Sequence, residues 1–158
     1  MNHAELIEKL EKSGFEQLGT ASAFGNAGEW VIGLIGLSGR FQQAGTKAFV
    51  ICARPISFDY MERPKGKFHC DPMEYPFKLT LNSFGEKLKY QSQLLHFEHS
   101  RMDTEGDWSK VFDFLVSDLP ESLSSLGVSG LVQQLKAIRE PGYIEKIWLG
   151  ELGAKATD

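Results

Sequence analysis

Two runs of residues constrain the fold of this chain more than any other feature of it. "EWVIGLIGLSG" and "KAFVICARPISF" are rich in Val, Ile and Phe, and only the polar, glycine-containing "RFQQAGT" separates them. β-branched and aromatic side chains lose rotamer freedom in a helix but fit a pleated surface. A short polar loop between two such runs turns the second back along the first. The pattern therefore predicts neighbouring antiparallel strands over 29–38 and 47–54.

The stretches around this pair extend the sheet. "PFKLTLNSFG" alternates Phe77, Leu79 and Leu81 with Lys78, Thr80 and Asn82, which predicts a half-buried strand over 75–83. "KLKYQSQLLHFEH" predicts another over 87–98, although Leu88, Leu94 and Leu95 also fit a helix. "FEQLGTASAF" supplies a shorter strand weakened by its small residues.

The two ends of the chain carry a helical period instead. Asn2 can cap a first helix over 2–13, with Leu6, Ile7 and Leu10 as its apolar stripe and Ser13-Gly14 as its stop. From Thr104 onward Trp108, Val111, Phe112 and Leu115 repeat at helical spacing, giving a helix over 105–118 with Thr104 and Asp107 in capping-box spacing. Pro120 opens a short helix that Gly127 stops. Ser129 caps a third over 129–139 with Leu131, Val132, Leu135 and Ile138 as its stripe. After the break at Pro141-Gly142, "YIEKIWLGEL" adds a last turn or two. Helix, strands, helices is an α+β order: one domain over 1–158, with about four to six antiparallel strands and the helices on one face.

Composition narrows the partners. The net charge of −4 argues against nonspecific binding to nucleic acid or anionic membrane, since both need a basic face. The longest apolar stretch, "WVIGLIGL", has eight residues against the roughly 20 that span a bilayer. The start "MNHAELIEKLEK" lacks the apolar run of a signal peptide, and Cys52 sits in an apolar strand, where free thiols are buried. These features predict a cytoplasmic location.

Candidate chemistry is sparse. His96, Glu98 and His99 in "LLHFEHSRMD" put His96 and Glu98 on one face of a strand, or His96 and His99 together on a helix. Zinc wants three or four ligands, and only His69, Cys70 and Asp71 in "KFHCDP" could complete such a set. Cys70 beside His69 also has the residue types of nucleophilic catalysis, but catalytic partners meet in space more often than along the chain. Gly33, Gly36 and Gly39 do not form the dinucleotide fingerprint, and "GRFQQAGTK" lacks the phosphate-loop spacing. No metal and no cofactor is expected, and the balance leans away from an enzyme. The charge pattern points elsewhere. Asp103, Glu105, Asp107, Asp113, Asp118 and Glu121 face the single Lys110 between residues 103 and 121. Acids in a first helical turn complement the helix dipole, which accounts for the earliest three but not for Asp113 and Asp118. Those two mark an acidic docking surface.

The layout resembles a bacterial family of small α+β proteins of unknown function, encoded near toxins and mobile elements. The likeness is carried by "LEKSGFEQLG", "WVIGLIGLSGR", "KAFVICARPISF" and "VFDFLVSDLPESLSSLGVSGLVQQLKAI". Orphan proteins of mobile gene cassettes look similar, and residues 60–76 match neither pattern. The resemblance implies binding to another protein, such as neutralising a toxin, and carries over no catalytic residue. Three readings follow. The first is an interaction module, immunity-like or a homo-oligomeric accessory, with a protein partner that is basic. The second is a small-molecule binder with a pocket between sheet and helices lined by Trp30, Phe49, Phe58 and Phe77. The third is a small enzyme using His69, Cys70, His96 and Glu98.

Overall fold

The computed structural model describes residues 1–58, 71–92 and 97–156. Helix α1 (His3–Lys12) leads into strands β1 (Glu16–Leu18), β2 (Ser22–Ala27), β3 (Trp30–Leu37) and β4 (Thr46–Pro55). Strands β5 (Phe77–Leu79) and β6 (Ser100–Asp103) follow, then helices α2 (Ser109–Asp113), α3 (Leu119–Lys136) and α4 (Tyr143–Ala156). A π turn, Phe114–Asp118, joins α2 to α3. The class is α+β, and every strand pairing among the described residues is antiparallel. Asn2 caps α1 as predicted, its Oδ1 accepting from the Glu5 N–H at 2.9 Å.

Strand β4 is the hub of the sheet. It pairs with β3 on one side, from Trp30↔Pro55 to Leu37↔Ala48. On its other side it carries β6 along Thr46–Phe49 and β5 along Ile51–Ala53. Its unbroken apolar run has a simple cause: both of its faces are covered. Phe49, Ile51 and Ala53 enter the main core with α1 and the C-terminal helices. Val50 and Cys52 enter a second, smaller core with Phe24, Val31, Ile35 and Tyr75. Gly33 and Gly36 serve this packing. A Cβ on Gly33 would sit 2.6 Å from the Phe24 ring, and one on Gly36 would sit 2.5 Å from Ala21 Cβ.

Several sequence expectations are corrected. Among the described residues, 87–92 and 97–99 form no strand, and the chain becomes extended and paired only at Ser100. The strand expected over 75–83 shrinks to Phe77–Leu79, because the Thr80 N–H turns to Ser83 Oγ at 3.1 Å and the Leu81 N–H to Ser100 Oγ at 2.9 Å. The helix expected from 105 starts at Ser109, because the N–H groups of Glu105 and Gly106 turn back to Asp103 and residues 104–106 form a turn instead. The break expected at Gly127 is present: its backbone leaves the helical region there, at φ 69°, and divides α3 into two helical segments at a kink. Beyond the break Glu29, from the β2–β3 turn, accepts from the Val128 N–H at 3.2 Å. The last turn or two becomes the 14-residue α4, whose buried stripe is Glu145, Trp148 and Leu152. A glutamate within that stripe hid its period.

No helix among the described residues is long and apolar enough to cross a membrane.

Candidate functional site

Among the described residues, those singled out from sequence do not meet at one place. His69, Cys70 and His96 lie outside the described residues. Glu98 is exposed, while His99 lays its ring edge-on against Phe41 at 4.9 Å. Arg101 takes the same loop in hand, donating to the Gln43 side chain and to the Phe41 carbonyl. That part of "LLHFEHSRMD" therefore braces the β3–β4 loop. Among the described residues no three His, Cys, Asp or Glu side chains gather as a metal ion would require. Trp30, Phe49, Phe58 and Phe77 are all buried and fill the interlayer core. Trp30 packs on Phe77 at 6.0 Å, Phe49 on Trp108 at 5.0 Å and Phe58 on Trp148 at 6.0 Å.

The acidic stretch is placed differently from either extreme. Asp103 and Asp107 are spent on local structure: Asp103 Oδ1 accepts from the Glu105 N–H at 2.8 Å, and Asp107 Oδ1 accepts from the Ser109 N–H at 3.0 Å in the turn that precedes α2. The Ser109 hydroxyl and N–H hold the Asp107 carboxyl below its ordinary proton affinity. Trp108, Val111 and Leu115 point into the core as expected, with Phe114 and Leu119 joining them. Phe112 is only half-buried, under the Lys9 ammonium 5.0 Å from its ring centre. Asp113, Asp118 and Glu121 are left on the surface, and none enters an ion pair or a side-chain hydrogen bond among the described residues.

Beside Asp118 runs a groove of about 570 Å³. One wall is helical: Asp118, Ser122 and Ser125 follow one another at i, i+4 and i+7, with Glu121 next to them and Leu126 at the end. The other wall is Lys87 and Leu88. They belong to a strap, residues 83–92, that has no strand partner and is held by side chains instead. Phe84 stacks on Phe114 of the π turn at 4.1 Å. Gln134 of α3 takes the place of a neighbouring strand: its Oε1 accepts from the Tyr90 N–H at 2.6 Å and its Nε2 donates to the Leu88 carbonyl at 3.2 Å. The Tyr90 hydroxyl donates to buried Glu145, whose other oxygen accepts from the Gly142 N–H at 2.7 Å. Burial, and then that bond to Glu145, raises the Tyr90 hydroxyl far above its ordinary pKa.

The groove thus carries two carboxylates, two hydroxyls and two leucines, with Lys87 on the opposite wall, and no hydrogen bond among the described residues joins its serines to its carboxylates. Sequence reasoning named Asp118 and Glu121 as acids but missed Ser122, Gln134 and the strap. Their meeting depends on Gln134 reaching across 44 residues of sequence to Tyr90. No protein-family model, curated protein or solved structure matches the chain.

Proposed function

We propose that the chain is a protein–protein interaction module whose acidic groove along α3 receives a lysine- or arginine-bearing segment of a partner. The observation that carries this reading is the state of Asp113, Asp118 and Glu121. All three are exposed and outside any ion pair among the described residues, and two of them line a groove that also offers Leu88 and Leu126. A basic side chain can lay its methylenes on the leucines while its charge meets the carboxylates. The net charge of −4 favours a basic partner over a second copy of the chain. The resemblance to bacterial proteins encoded near toxins points the same way, toward an immunity-like role in the cytoplasm.

The test begins with capture of the partner from the native host, followed by stopped-flow association at low salt. The double reversal Asp113→Lys/Asp118→Lys should slow association severalfold and leave the circular dichroism spectrum unchanged, because exposed rim charges act mainly on the encounter rate. An unchanged rate would remove the groove from the interface.

A further inference from the structure

The strap has a second side. Between it and β5 lies a narrower cleft of about 70 Å³, room for a few waters or one small polyatomic ion. It runs along the edge of β5 that has no neighbour among the described strands. Its charged lining is lopsided: Lys78 from the strand and Lys87 and Lys89 from the strap, against Glu86 alone. Ser83 and Gln91 add neutral donors.

Lys78 is the unusual member. Its Nζ donates to the Tyr75 carbonyl at 2.8 Å, which leaves two of three ammonium protons without an acceptor among the described residues. No carboxylate comes within ion-pair distance of it there. The Trp148 ring centre lies 5.9 Å from Nζ, and Cys52 is its partner across the strand pair. Burial lowers the proton affinity of this amine. Cys52 of β4, Asp71 before the 72–74 turn and Glu145 of α4 act on it from farther away and only partly offset that. Lys87 and Lys89 line the same cleft. A half-buried ammonium without a counter-ion is an unfavourable arrangement that an anion would relieve.

We propose that this cleft binds a small oxyanion, such as phosphate, sulfate or a short carboxylate, with Lys78 as its floor and Lys87 and Lys89 as its rim. The anion supplies a counter-charge to Lys78 and accepts the two ammonium protons that have no acceptor among the described residues. Its size limit follows from the cleft: a compact anion enters whole, while a larger phosphate ester can enter only by its terminal group. This site shares the wall of Lys87 and Leu88 with the acidic groove, but Lys78, its floor, lines only the cleft, so Lys78→Met tests the anion site without touching the groove.

The test is a titration of the full chain with sodium phosphate at constant ionic strength, read by amide chemical shifts and by the thermal midpoint. Parallel series use sulfate, acetate and glycerol phosphate. Saturable shifts confined to residues 77–79 and 83–91 are expected, with a rise in midpoint as ligand fills the site. Lys78→Met should weaken binding by about tenfold or more, as loss of a charge-assisted bond does. The exposed pair Lys87→Gln/Lys89→Gln should weaken it severalfold and keeps the test available if the Lys78 variant does not fold. Glycerol phosphate binding as well as inorganic phosphate would place the natural ligand among phosphate esters. Phosphate binding alone would make it the free ion. Shifts that fail to saturate, or that survive both sets of substitutions, would overturn the proposal.

Discussion

The two hollows beside the strap share Lys87 and Leu88 as a wall yet differ in size, charge and burial. The groove toward α3 holds about 570 Å³ and is lipped by exposed carboxylates, whereas the cleft toward β5 holds about 70 Å³ around a half-buried amine. Solvent and salt screen the first set of charges, so they steer an encounter more than they fix an affinity. The second sits where the effective dielectric is lower, so the same unit charge weighs more once a partner arrives. One irregular segment can therefore present a salt-sensitive surface on one side and an ion-sized site on the other. What makes this workable is that the strap is pinned by side chains, through Phe84, Gln134 and Tyr90, and leaves both of its flanks open.

The largest blow to both hollows at once should come from Trp148→Ala. Trp148 is buried against Phe58 and Tyr90, and truncating such a residue costs about 3–5 kcal/mol. Urea denaturation should show that loss, and both binding responses should vanish at temperatures where the parent protein still binds. Tyr90→Phe is the finer instrument. It leaves the buried Glu145 without its hydroxyl donor, for about 1–3 kcal/mol. Both responses should weaken together. If phosphate binding falls while partner binding is untouched, the strap does not act as a single wall.

Lys78→Met separates the hollows and works in the opposite direction. The folded state holds the Lys78 amine at a lowered pKa, so the unfolded chain binds the proton more readily. Stability of the parent protein therefore rises with pH from that lowered value up to the ordinary lysine range. The variant lacks this dependence. It should be more stable than the parent at neutral pH, with the gain shrinking as pH approaches 10, and pH-resolved thermal melts would show it. The smallest change in stability belongs to the Asp113→Lys/Asp118→Lys pair, within about 0.5 kcal/mol in either direction, as for exposed residues without partners. A larger loss by urea denaturation would mean that the groove carboxylates hold the helix and are not free for a partner.

Sequence and structure agree where local chemistry decides the outcome. The Val, Ile and Phe runs gave β3 and β4, and the Asn2 cap gave α1, because each signal is satisfied within its own segment or by its immediate neighbour. Agreement fails where a distant side chain takes over a backbone role. Residues 87–92 have strand-like composition, yet the groups that would pair in a ladder are taken by Gln134. Lys78 alternates with Phe77 and Leu79, a pattern that predicts a strand buried on one face only. Lys78 is half-buried because the far face of the sheet is covered too, a fact no single strand pattern contains. Of the site residues proposed from sequence, Asp113 and Asp118 fall on the surface expected of them, and Asp118 alone of the two lines the groove.

The second core has a practical corollary through Cys52. Its sulfur is fully enclosed, where no reagent reaches it in the closed fold, and burial raises the thiol above its ordinary pKa. Alkylation at this position must wait for the sheet to come apart. The modification rate of the peptide carrying Cys52 is then a stopwatch on the opening of β3 from β4, the longest pairing in the sheet. Timed labelling in the presence of phosphate or of a captured partner would reveal whether either ligand reaches across the molecule to quiet that motion.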